Sequence, residues 1–283
     1  MVKKALVTSR PFPFVFLALL LVSVPAAAGT YVNDLMTRYS SGNSLAEGSH
    51  NILFSDGISG IYYNPSRLVG LSYPSILTAL SVKSNKMIFL NMVYGMPVKF
   101  LRASAFSVNL LYFNENNKNS LAPGLAFGTS LGVFEAGASA SLHYNLEQAV
   151  GQRDFLFFKF GAAATIDIFK LGCVLENEID ETNKTLFLAR FQAGATLLKN
   201  RVSLSAGIHQ YLKKSSRVTV NVGCEVTPWK FITLGFNVED WNPSFGFIFN
   251  SYPIKLCIAA WYHHAPLHEY RYFDYSLSLT FRR

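Results

Sequence analysis

His143, Lys159, Arg190 and His209 are the side chains of this sequence best suited to hold an anion. Each sits in a stretch that alternates apolar and polar residues, and each falls on the polar side. Cations gathered on one face could grip a carboxylate by charge-assisted hydrogen bonds, so these four form the candidate ligand-binding set. Glu135, Asp167, Glu225 and Glu239 fall on the same side. Their presence favours another use of the cations, internal ion pairs that brace a wall. Ser141 and His143 share a face at strand spacing, as a nucleophile and its base would. No acidic or amide orienter accompanies them, and no catalytic residue is assigned. His263, His264, His268 and Glu269 are metal-ligating types, but Pro266 interrupts them. They read as a polar external turn, and no metal site is assigned. With no phosphate loop and no dinucleotide fingerprint, no cofactor is expected.

The elements that must position these residues are strands. Phe134, Ala136, Ala138, Ala140, Leu142, Tyr144 and Leu146 share one face of a period-two stretch, opposite Glu135, Gly137, Ser139, Ser141, His143 and Asn145. In a strand the two sets point to opposite sides of the sheet. The pattern recurs in about fourteen segments, an even number as single-chain bacterial barrels prefer. Their expected spans are 73–83, 86–95, 103–114, 121–130, 132–146, 155–168, 170–178, 185–198, 201–212, 216–227, 230–240, 244–250, 253–264 and 271–282. Alternation is weakest in the second, fourth, seventh and twelfth. Connections after even-numbered segments are the shorter ones, such as Phe169, Lys199-Asn200 and Pro228-Trp229. Short turns on one side and longer ones on the other suit a barrel whose two chain ends lie at the short-turn, periplasmic side. The expected fold is all-β, a transmembrane antiparallel barrel.

Composition agrees. Hydrophobic residues make up 50% and charged residues 15%, lean in charge beside the ~25% of ordinary soluble domains. Beyond residue 28 no apolar run approaches the ~20 residues of a spanning helix. Only helices and closed barrels satisfy the backbone within lipid. Residues 1–28 read as a secretory signal peptide. Lys3, Lys4 and Arg10 precede the apolar stretch Phe12 to Val22, and Ala26-Ala27-Ala28 supplies the cleavage site. Formal net charge is +8. Export argues against nucleic acid, and no basic-aromatic surface for it is present. The excess reads as a rim of Lys and Arg facing lipid headgroups. Cys173, Cys224 and Cys257 are far apart and odd in number, so no disulfide framework is implied. Cys224 falls on a lipid-facing position.

Between the signal and the first segment, residues 29–72 contain Gly42, Gly48, Gly57, Gly60 and Gly70 and no sustained alternation. This stretch reads as a plug, and residues 73–283 as the barrel. Within it lies Asp56-Gly57-Ile58-Ser59-Gly60-Ile61-Tyr62-Tyr63-Asn64-Pro65-Ser66-Arg67-Leu68. It resembles the N-terminal motif of the FadL-like outer-membrane barrels, which include long-chain fatty acid transporters and PorV/PorQ proteins. Related barrels occur in spirochaetes. Asp56, Tyr63, Asn64, Pro65 and Leu68 match the family pattern, while Ser66 and Arg67 stand where it has Ala and Gly. The resemblance implies an N-terminal hatch inside the barrel and a hydrophobic small molecule in the lumen. It implies passive uptake across the cell outer membrane, with membrane lipid and the barrel-assembly machinery as partners. The external connections here are short beside the capture loops of the transporters. That leaves a PorV-like barrel that docks a secreted partner, or a structural porin-like barrel, as alternatives. Arg67 could pair with one of the inward acids and latch the hatch.

Overall fold

The computed structural model describes residues 52–54, 57–83, 87–98, 103–115, 118–146, 155–179, 185–212, 218–239, 242–264 and 271–282. The signal segment, residues 29–51 and Asp56 lie outside them. Among the described residues, fourteen antiparallel strands form one closed barrel. In chain order they are β1 Ser75–Val82, β2 Ile88–Pro97, β3 Ser104–Glu115, β4 Lys118–Leu131 and β5 Phe134–Asn145. Then come β6 Phe155–Ile166, β7 Phe169–Ile179, β8 Thr185–Leu197, β9 Val202–Tyr211 and β10 Val218–Trp229. The last are β11 Ile232–Glu239, β12 Asn242–Ser251, β13 Ile254–His264 and β14 Arg271–Arg282. Every strand pairs with its sequence neighbours, and the seam closes where Ser75 faces Arg282 and Val82 faces Tyr275.

Alternation decides which side chains face in. On β2, Phe89, Asn91 and Val93 are buried in the interior, while Leu90, Met92 and Tyr94 stand exposed on the outside. The outer wall is a belt of Leu, Ile, Val and Phe, a surface suited to hydrocarbon rather than water. Aromatic residues edge the belt. Tyr73, Phe134, Phe169, Trp229, Phe231 and Tyr252 lie exposed at the short-turn end, and Tyr144, Phe187 and Phe273 at the other.

Two sequence-based boundaries are corrected. β6 ends at Ile166, and Asp167 occupies the tight turn to β7 at φ 55°, exposed. It is not a lumen residue. A hairpin needs about two turn residues, so Phe169 alone could not make the connection, and Asp tolerates the left-handed backbone. Likewise Pro228 and Trp229 belong to β10, and the turn passes to Lys230 and Phe231.

The turn between β8 and β9 is unusual. Leu198, Lys199 and Asn200 are all left-handed, at φ 51°, 55° and 67°. Left-handed turns suit the twist of a hairpin, but Leu and Lys each strain by roughly 1 kcal/mol in that conformation. Lys199→Gly is therefore expected to raise stability by about 0.5 kcal/mol, the strain relieved less the entropy a glycine adds to the unfolded chain. A lower urea midpoint for this variant would contradict the account.

The described residues of the pre-barrel segment lie in the lumen. A 3-10 turn Gly57–Ser59, the single helical turn α1 Gly60–Tyr63 and a 3-10 helix Pro65–Gly70 follow one another, then Tyr73 emerges exposed at the rim. Ile58, Ile61, Tyr62, Tyr63, Leu68 and Leu71 pack with Leu77, Ala79, Val93, Ala105 and Ala126 of the wall. Further along the wall, Ile52, Leu53 and Phe54 cluster with Val174.

Candidate functional site

The seat of the segment is built from missing side chains. Gly128 on β4, Gly137 on β5 and Gly161 on β6 face inward side by side, Gly128 opposite Gly137 and Gly137 opposite Gly161. A Cβ at 137 would lie 2.5 Å from the Ser66 nitrogen, and one at 161 would lie 2.9 Å from Pro65 Cδ and overlap Asn64 Oδ1. The backbone of the motif thus rests directly on the wall, an approach only glycine permits.

Asn64 makes the motif intelligible. Fully buried, it caps the 3-10 helix, with Pro65 at the first position where a missing N–H does no harm. Its Oδ1 accepts from the Ser66 N–H at 3.1 Å and from Ser66 Oγ at 2.7 Å. Its Nδ2 donates to the Ile52 carbonyl at 3.1 Å and to the Ala162 carbonyl of β6 at 3.3 Å. One amide therefore ties together the cap, Ile52 and the wall.

Charged groups add further ties. Arg67 Nη1 donates to Glu135 Oε2 of β5 at 2.6 Å, both largely buried. Lys159 Nζ donates to the Tyr62 carbonyl and pairs with Glu176 Oε2 at 2.7 Å. Arg190 Nε and Nη2 both reach Glu176 Oε1 at 2.6 Å. Gln192 Oε1 accepts from the N–H groups of Ile52, at 2.7 Å, and Leu53. The Tyr62 hydroxyl donates to Asn91 on β2. Burial holds that phenol well above the ordinary tyrosine range, against the smaller pull of hydrogen bonds with Asn91 and Asn109, so it remains a neutral donor. A double-mutant cycle on Arg67→Met and Glu135→Gln should return a coupling of about 1–3 kcal/mol between the two. A coupling below a few tenths of a kcal/mol would remove the pair from the list of latches.

Above this seat, toward the longer connections, the lumen is aromatic. Phe89, Phe113, Leu111, Met87, Ala122 and Phe157 form a buried cluster with Phe155 against it. His143 stacks 5.1 Å from Phe113 and 6.3 Å from Phe155. Where cluster and segment meet lies a cavity of about 40 Å³, lined by Ile61, Tyr62, Leu111, Ser139, Ser141 and Phe157 among others. It has room for a few waters, and an acyl chain would need the segment to shift.

The four candidate ligand-binding residues therefore part company. Lys159 and Arg190 share Glu176 at one buried centre. His143 joins the aromatic stack, and His209 lies 3.9 Å from Glu239 on the other side of β10. Ser141 lines the cavity. His268 and Glu269, and the side chains of His263 and His264, fall outside the described residues. Sequence reasoning missed Glu176, Gln192 and the inward phenylalanines. A signal for Glu176 was present, since cations facing inward on β6 and β8 call for an acid on β7 between them. The three cysteines form no disulfide, and Cys257 is buried in the interior.

No family model matches this chain, and no curated protein matches it. Solved structures do. The chain is similar to the deltaS2S3 mutant of TodX, described as a monoaromatic hydrocarbon channel. The TM-score is 0.54 at 11% identity, over 85% of this chain and 97% of that one. It is also similar to CdiB from Acinetobacter baumannii, with a TM-score of 0.52 at 9% identity, over 75% of this chain and 60% of that one. At such identities the likeness is one of fold, a closed antiparallel barrel.

Proposed function

We propose that the protein is an outer-membrane channel for passive uptake of hydrophobic small molecules such as long-chain fatty acids. In this reading residues 1–28 direct export, residues 29–72 form the hatch, and residues 73–283 are the wall that the barrel-assembly machinery inserts. The observation that carries the reading is the aromatic lumen floored by a seated segment, inside a wall whose exterior suits lipid. A hydrophobic molecule entering from the longer-loop side meets Phe89, Phe113 and Phe155 first and the motif around Asn64 and Pro65 next. The likeness of fold to a hydrocarbon channel and the FadL-like motif support it. Lys159 and Arg190 already share Glu176, so recognition rests on the apolar body of the ligand more than on its carboxylate. Saturable binding of a fluorescent fatty acid to the refolded barrel, with uptake into proteoliposomes, tests the proposal. Absence of both would end it.

The tight seat, with a cavity of only about 40 Å³ beside it, favours one rival, a barrel that docks a secreted partner. Partners cross-linked on intact cells, together with a purified barrel free of lipid ligand, would select that rival.

A further inference from the structure

The short-turn end carries a cluster that neither the wall nor the hatch explains. The turn 198–201 between β8 and β9 and the turn 230–231 between β10 and β11 are neighbours, since the Thr227 N–H donates to the Arg201 carbonyl at 2.7 Å. Lys199, Arg201 and Lys230 are all exposed there. Beside them Leu198, Trp229 and Phe231 stand exposed, Leu198 at 72% and Trp229 at 60%. The left-handed backbone of residues 198–200 presents Leu198 and Lys199 together despite its strain.

Charge at this end is mainly positive. On the inward register near this end Lys170, Lys255 and Arg282 stand with the acid Glu135. Asp167 is the acid on these turns among the described residues. It sits on the far side of 198–201, where the Ile168 carbonyl accepts from the Thr196 N–H. By contrast, the sequences of the opposite connections mix acids such as Glu147, Asp180 and Glu181 with Lys184 and Lys213.

We infer that this cluster is a binding site for the headgroup of an anionic phospholipid in the periplasmic leaflet. The phosphate meets Lys199, Arg201 and Lys230, while the upper acyl chain lies against Leu198, Trp229 and Phe231. Aromatic groups belong at that depth, and each cation near a charged leaflet strengthens attraction about fivefold. A zwitterionic headgroup brings its own ammonium and gains little.

The inference rests on the membrane-barrel reading, and the experiment separates the two. The full barrel is placed in nanodiscs of phosphatidylethanolamine with a minor share of phosphatidylglycerol, then released for native mass spectrometry. Wild type should retain phosphatidylglycerol well above its share. The triple variant Lys199→Gln, Arg201→Gln, Lys230→Gln should lose that preference at least tenfold, and Lys83→Gln at the opposite end should keep it. An inserted wild-type barrel that retains the two lipids in proportion, or a triple variant with undiminished preference, overturns the inference. A barrel that does not insert overturns the membrane reading instead.

Discussion

Gly161→Val is expected to give a barrel that still folds but conducts ions. A Cβ at this position already overlaps Asn64 Oδ1 and lies 2.9 Å from Pro65 Cδ, and valine adds two methyl groups beyond it. Overpacking of this kind costs about 1–3 kcal/mol. The displaced Asn64 also loses its bond to the Ala162 carbonyl and its grip on Ser66 and Ile52, each worth about 1 kcal/mol. Together these favour the unseated segment by on the order of 3–5 kcal/mol, a population shift of at least a hundredfold. The wall is spared because the β5–β6 and β6–β7 ladders do not depend on the segment. Planar-bilayer conductance should rise at least tenfold, and residues 52–71 should become open to protease. A folded variant with wild-type conductance and an uncut segment would show that the glycine seat does not hold the plug. Gly137→Val should behave alike, since its Cβ would fall 2.5 Å from the Ser66 nitrogen.

Glu176→Gln should produce the largest loss of stability of any single wall substitution considered. Glu176 is wholly buried and pairs with both Lys159, at 2.7 Å, and Arg190, at 2.6 Å. Removing its charge leaves two buried cations facing each other, which costs about 3–5 kcal/mol. The triad spans β6, β7 and β8, and Lys159 also holds the Tyr62 carbonyl, so plug and wall should weaken together. Replacing all three members with apolar residues, Glu176→Leu with Lys159→Met and Arg190→Met, should recover most of the loss because no charge is then left uncompensated. Urea titration of the folded barrel in detergent reads both results. A loss below about 1 kcal/mol for Glu176→Gln would mean that water in the lumen screens the cations.

The wall was legible because a barrel writes its geometry into every strand. Lipid on one side and lumen on the other impose period two, and on β5, β6, β9 and β10 the alternation is nearly unbroken. All fourteen expected segments are strands, including the second, fourth, seventh and twelfth, where the pattern is weakest. The exceptions share a cause. β7 reads poorly because Val174 faces inward to meet Ile52 and Leu53. Asn177, on the outward register, turns instead to the Phe158 N–H at 2.6 Å and the Leu156 carbonyl at 2.8 Å, which β7 leaves unpaired. A lumen filled by protein is not uniformly polar, so a rule that expects polar residues inside loses the strands that touch the plug. Glu176 was hidden for this reason. The aromatic cluster was hidden for the same one, since Phe89, Phe113 and Phe157 occupy inward positions. Asp167 was misplaced because alternation runs into a turn without changing sign. The latch between Arg67 and an inward acid was legible from charge alone, but that the acid is Glu135 depended on where the segment sits.

The seam between β1 and β14 joins residues some 200 positions apart in the chain. The motif that occupies the lumen comes just before β1, and its glycine seat is spread over β4, β5 and β6. Closing the β1–β14 seam carries the largest loop-closure cost of the wall, while the seat on β4, β5 and β6 lies nearer the motif in the chain. The plug is expected to dock onto a still-open sheet, in the way a cork is set into a half-built cask, with β14 closing the wall around it. Protection of residues 52–71 from protease before β1 and β14 can be cross-linked would show this order.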